Sequence, residues 1–122
     1  MPTVAFYTLG CKLNQYETEV IRESFESQGY QVVPFLTPAD IYVINTCAIT
    51  GKSAYSSRKM IRKAIKTAPQ ALVAVVGCYS QLAPETLANI PGVNLVLGSF
   101  NKTQIVNYIT RLIKEKKEQQ II

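Results

Sequence analysis

Three cysteines, Cys11, Cys47 and Cys78, are the residues of this 122-residue chain best suited to hold a soft metal or run a redox step. Each one closes a largely apolar run: Val4-Ala5-Phe6-Tyr7-Thr8-Leu9-Gly10-Cys11, Ile41-Tyr42-Val43-Ile44-Asn45-Thr46-Cys47 and Leu72-Val73-Ala74-Val75-Val76-Gly77-Cys78. Scattered cysteines would not be expected to share one context. Each is followed by a helix or helical turn, whose N-terminal N–H groups and dipole favour thiolate over thiol. Gly10 and Gly77, directly before Cys11 and Cys78, allow the close backbone approach that a bulky inorganic ligand requires. Asn14, Asn45 and Thr46 are candidates to donate hydrogen bonds to cluster sulfur or to a bound anion. The plain alternative is that cysteine is a common small buried hydrophobe. Among functional alternatives, a three-thiolate zinc site with an open fourth position and a redox cysteine pair with a spectator also suit the residue type. Zinc ligands usually come as close C-x-x-C pairs, and the sequence has none. A 4Fe-4S cluster with three protein ligands and one open iron fits the pattern best. The chain contains no histidine, which removes imidazole acid/base chemistry and histidine-dependent triads.

The elements that must position these cysteines alternate along the chain. After the first apolar run, Leu13, Tyr16, Val20, Ile21 and Phe25 recur at helical spacing and predict a helix over about 14–28, with Asn14 as cap and Gly29 as stop. Tyr30 to Val33 reads as a short strand ended by Pro34. A second helix starts at Thr50 or Gly51 and is closed by Pro69, with Ala54, Ser57, Ile61, Ala64, Ile65 and Ala68 on one stripe. Ala71 to Val76 is apolar throughout, as in a parallel strand covered on both faces. A short helix from Pro84 to about Ile90, a fifth strand over Val93 to Leu97, and a last helix from Asn101 to Ile113 complete the series. Residues 114–122 read as a helix end or a linker. The pattern predicts an α/β, three-layer, flavodoxin- or Rossmann-like domain with a five-stranded parallel sheet in the order 2-1-3-4-5 and helices on both faces. That order sets the first, third and fourth strands side by side. Each cysteine then stands at a strand's C-terminal end, on the edge where open α/β sheets bind ligands, with neighbouring strands ~4.8 Å apart.

A length of 122 residues with 48% apolar content bounds one domain with one core. The odd cysteine count, the wide spacings and the lack of a cationic-then-apolar leader predict a reducing cytoplasm, and no apolar run approaches the ~20 residues of a membrane span. Thirteen Lys and Arg against eight Asp and Glu give a net charge of +5, and no acidic residue lies between Asp40 and Glu85. Lys52, Arg58, Lys59, Arg62, Lys63 and Lys66 all fall in that interval; Arg58, Arg62 and Lys66 are the candidates for RNA phosphate contact, the ordinary alternative being a solvated helix face. Gly51-Lys52-Ser53 has the end of a phosphate-binding loop but lacks the first glycine, where Thr46 stands. A flavodoxin-type small-ligand or phosphate-binding regulatory module is the rival from another class.

Thr8 to Glu19, which includes Gly10-Cys11-Lys12-Leu13-Asn14-Gln15-Tyr16-Glu17, together with Val43 to Thr50 and Val76 to Gln81, resembles the three cysteine motifs of the N-terminal domain of radical-SAM methylthiotransferases. The wording after Cys11 is most similar to the branch that methylthiolates C2 of N6-threonylcarbamoyladenosine beside the tRNA anticodon, rather than the isopentenyladenosine or ribosomal-protein branches. The resemblance implies that Cys11, Cys47 and Cys78 ligate an auxiliary 4Fe-4S cluster, whose open iron carries the sulfur to be transferred. It also implies a second cluster on a C-x-x-x-C-x-x-C motif that cleaves S-adenosylmethionine. With three cysteines in all, that motif is missing from this sequence. The expectation is therefore a cluster-binding domain over 1–113, a helix end or linker over 114–122 toward radical-SAM and RNA-binding domains that are absent here, and no activity of this part alone.

Overall fold

β-branched and aromatic residues take every position of Ile41–Thr46 except Asn45, and this strand, β3, is buried throughout, as an interior parallel strand must be. The computed structural model describes residues 3–9, 12–35, 37–46, 51–69, 71–77, 84–97, 105, 107–109 and 120–121. Around β3 lie β1 (Thr3–Thr8), α1 (Lys12–Ser27), β2 (Gln31–Val33), α2 (Gly51–Thr67), β4 (Leu72–Gly77), α3 (Pro84–Ala88), β5 (Val93–Val96) and β6 (Gln120–Ile121), with helical residues at 105 and 107–109. The strands pair in the order β2-β1-β3-β4-β5-β6, and every pairing is parallel. The expected five-stranded order is therefore present, with one short strand added at its edge.

Within the segment expected to be a helix end or linker, Gln120 and Ile121 pair with Leu95 and Val96. The open edge of β5 offers N–H and C=O groups with which Gln120 and Ile121 pair. Local composition cannot reveal such a pairing, because the edge exists only after folding.

Helices cover both faces. Ile21 and Phe25 of α1, with Ile105 and Ile109, pack on Val4, Ile41, Val43, Ala74, Val76 and Leu95. On the other face Ile61 and Ala64 of α2, with Leu87 and Ile90, pack on Ala5, Tyr42, Ile44, Val73, Val75 and Val96. A register shift between Val73 and Ala74 marks a bulge at Asn94, whose Oδ1 accepts the Val73 N–H at 2.9 Å in place of a ladder carbonyl.

Helix α1 starts two residues earlier than predicted, so Asn14 lies in its first turn instead of capping it. Its C-terminus behaves as the sequence indicates. Gly29 takes φ +91°, the Tyr30 N–H reaches the Phe25 carbonyl and the Gly29 N–H reaches the Glu26 carbonyl, each at 3.1 Å. That is the Schellman arrangement, completed by the edge-on Phe25 and Tyr30 rings with centroids 4.9 Å apart. At the N-terminal edge of the sheet Asp40 joins three strands. Its Oδ2 accepts the Thr3 N–H at 2.9 Å, its N–H donates to Thr3 Oγ1 at 3.0 Å, and its carbonyl accepts the Leu72 N–H at 2.9 Å. Register is thus fixed at the N-terminal edge and carried to the C-terminal one.

Candidate metal centre

The C-terminal ends of β1, β3 and β4 finish level. Thr8 pairs with Asn45, Asn45 with Val76, and Thr46 with Gly77. Leu9 continues the ladder by donating its N–H to the Asn45 carbonyl at 2.9 Å. Cys11, Cys47 and Cys78 lie outside the described residues, and of Asn14 only the backbone is described. In the chain, Cys47 directly follows Thr46 and Cys78 directly follows Gly77. Among the described residues no group of three Cys, His, Asp or Glu side chains could hold a metal ion.

Side chains behind the edge tie its strands together. Thr8 Oγ1 donates to Thr18 Oγ1 at 2.7 Å, and Asn45 Nδ2 donates to the same oxygen at 3.2 Å, so one hydroxyl of α1 joins β1 to β3. Thr46 Oγ1 donates to the Val76 carbonyl at 2.7 Å and joins β3 to β4. Asn45 and Thr46, expected to donate to cluster sulfur or an anion, make these hydrogen bonds within the protein and hold strand ends. Thr18 went unnoticed in the sequence. Its signal is a polar residue three and seven places before Ile21 and Phe25, on the helix's apolar stripe, where an unbonded hydroxyl would be costly.

Gly77 has φ +102°, and a Cβ there would meet Asn45 Oδ1 at 2.5 Å and the Thr46 carbonyl oxygen at 2.6 Å. Glycine is needed at this point by the fold itself. The close neighbour is the backbone and side chain of β3. Beside the end of β1 an open cavity of about 570 Å³ is lined by Thr8, Gln15, Tyr16, Thr18 and Glu19, all bearing polar groups.

The two helices that open toward this edge differ in charge. Helix α1 has four glutamates against Lys12 and Arg22, and Arg22 sits 3.6 Å from both Glu19 and Glu26. Helix α2 has six cationic residues and no acidic one. The RNA-contact candidates Arg58, Arg62 and Lys66 all lie on it, Arg62 and Lys66 exposed and Arg58 half-buried. Among the described residues no helix is long and apolar enough to cross a membrane.

A family model described as Uncharacterized protein family UPF0004 matches residues 3–98. The chain is 44% identical over 117 residues to the threonylcarbamoyladenosine tRNA methylthiotransferase MtaB of Bacillus subtilis, an alignment covering 96% of this chain and 26% of that protein. It is 40% identical over 119 residues to the protein of the same name from Aquifex aeolicus, covering 98% and 29%. To the tRNA-2-methylthio-N(6)-dimethylallyladenosine synthase of Syntrophus aciditrophicus it is 30% identical over 115 residues, covering 91% and 25%. The chain thus spans between a quarter and a third of the length of these relatives.

Proposed function

The chain belongs to the UPF0004 family, and from that premise we propose that residues 1–113 form the cluster-binding domain of a cytoplasmic tRNA methylthiotransferase acting on N6-threonylcarbamoyladenosine. Cys11, Cys47 and Cys78 are the proposed ligands of a 4Fe-4S cluster with one open iron. The observation that carries this is the strand order with its level edge: β1, β3 and β4 are neighbours, and Thr46 and Gly77, the residues just before two of the cysteines, face each other in the ladder. Three thiol donors and no imidazole make a donor set suited to such a cluster. Relatives named for threonylcarbamoyladenosine, at 44% and 40% identity, support this substrate over the dimethylallyl one at 30%.

When bound, the cluster would supply the sulfur for transfer. The chain's own residues have simpler tasks. Thr8, Thr18 and Asn45 on one side, and Thr46 with the Val76 carbonyl on the other, keep three strand ends at fixed spacing, so thiolates that follow them are positioned without adjustment. Helix α1 begins directly after Cys11, and its first N–H groups favour the thiolate form there. Arg58, Arg62 and Lys66 are proposed to contact tRNA phosphates. The C-x-x-x-C-x-x-C motif is absent from these 122 residues. We therefore assign the S-adenosylmethionine step, with its second cluster, to radical-SAM and RNA-binding parts of the enzyme not contained in them.

Anaerobic reconstitution of the chain with iron and sulfide tests the assignment. About four iron and four sulfide per chain, with broad visible absorption, are expected, and Cys11→Ala, Cys47→Ala and Cys78→Ala should each reduce that yield severely. A folded chain with three reduced thiols that stays colourless would overturn it.

A further inference from the structure

Helix α2 carries more than a surplus of positive charge. At 100° per residue, Tyr55, Lys59, Arg62 and Lys66 fall within about 60° of one another around the axis. The buried residues Ser57, Ile61 and Ala64 lie on the opposite side, so these four form the crest turned to solvent. All four are exposed, and Tyr55 is 59% exposed, one of the two large apolar side chains left in solvent among the described residues. Arg58 lies beside this crest and is half-buried, and Lys59 joins Arg62 and Lys66 on it.

The crest has a direction. A crossover helix runs back along the sheet, so α2 begins at the edge where β3 ends and Tyr55 sits about 6 Å along its axis from the first residue. Lys66 lies about 17 Å farther along, toward the other edge. Of the four, the aromatic ring stands nearest the edge where β3 ends, and the cations lead away from it. Cations spaced along a groove or ridge track phosphates, whereas an exposed ring offers a face on which an unpaired base can stack.

We propose that Tyr55 is a stacking platform for an unpaired base of the RNA substrate, and that Lys59, Arg62 and Lys66 hold the phosphates of the adjoining strand. This rests on the assignment of the chain to an RNA-modifying enzyme and adds to it the residue that distinguishes looped from paired RNA. Charge complementarity selects a polyanion, and the solvent-facing tyrosine selects one that carries bases. An acidic protein or a plain polyanion would use the cations and leave Tyr55 without a role.

The two parts separate by their salt dependence. Binding of the 122-residue chain, without metal, to a labelled RNA hairpin with an unpaired loop is measured across a salt series, beside the same RNA as a blunt duplex and beside heparin, a polyanion without bases. Tyr55→Ala should weaken hairpin binding about tenfold at every salt concentration, while Tyr55→Phe stays within about twofold. Lys59→Gln/Arg62→Gln/Lys66→Gln should instead flatten the slope of log K against log salt by about 2. Overturning results are a Tyr55→Ala chain that binds the hairpin as well as the parent, one that loses heparin or duplex equally, or a parent chain that does not prefer the hairpin. Because no cluster is needed, failure here is distinct from failure of the iron-sulfur assignment, which reconstitution reads separately.

Discussion

Helix α1 buries Ile21 and Phe25 against one face of the sheet and α2 buries Ile61 and Ala64 against the other, yet their outer surfaces have opposite sign. On α1, Arg22 lies between Glu19 and Glu26 at the spacings where opposite charges attract. On α2, Arg58 and Arg62, Lys59 and Lys63, and Arg62 and Lys66 stand four residues apart, where like charges each cost a few tenths of a kcal/mol. Core packing asks of each helix one apolar stripe and leaves the crest to other demands. A basic helix surface that weakens its own helix fits the proposed contact with a polyanion.

If the helices are equivalent toward the core, truncating either stripe should cost alike, and this is the largest effect expected. Phe25→Ala should lower stability by about 3–5 kcal/mol and Ile61→Ala by about 2–5 kcal/mol in urea unfolding, because both side chains are fully buried. A loss confined to one of them would break the equivalence and make one face of the sheet an accessory layer.

Next in size is a contrast between glycines at the two ends of the same architecture. Gly77 and Gly29 both have positive φ, but a Cβ at Gly77 collides with Asn45 and Thr46, whereas at Gly29 it meets nothing within 4 Å. Gly77→Ala should cost the upper part of about 1–3 kcal/mol, and Gly29→Ala the lower part. Gly77→Ala should also lower iron uptake on reconstitution, since it displaces the residue before a proposed ligand, while Gly29→Ala should leave uptake unchanged. Equal uptake by both variants would detach the β4 end from the metal centre.

Much of this was legible in the sequence, and the reasons differ by residue. Strand order and layering follow from apolar runs alternating with 3.6-period stripes, a signal carried by many residues at once. Gly77 was singled out for the approach of an inorganic ligand, whereas the neighbour that requires glycine there is β3. What escaped depends on partners met only after folding: the β6 pairing of Gln120–Ile121, the Asn94 bulge, and the Thr18 hydroxyl that receives Asn45 and Thr8. Asn45 and Thr46 were recognised as donors, but a sequence does not show that helix α1 and strand β4 supply their acceptors. Asn14 was read as a cap because it is the residue type that caps best, and α1 instead starts directly after Cys11.

The smallest effect bears most directly on the difference between the helices. Lys59→Glu removes the Lys59 and Lys63 repulsion and places a glutamate four residues before Lys63 and three before Arg62, the favourable orientation. The variant should therefore be more stable than the parent by about 0.5 kcal/mol in low-salt urea unfolding, and the gain should vanish near 1 M salt, where the Debye length falls to ~3 Å. The same substitution should weaken hairpin RNA binding and flatten its salt slope. Stability and binding would then move in opposite directions on one residue. On α1, Glu19→Gln should do neither: it forfeits an exposed ion pair worth at most a few tenths of a kcal/mol and lies on the far side of the sheet, beyond the ~8 Å screening length at physiological salt. If Lys59→Glu lost stability or bound RNA as well as the parent, the basic crest of α2 would be no more than a solvated helix surface.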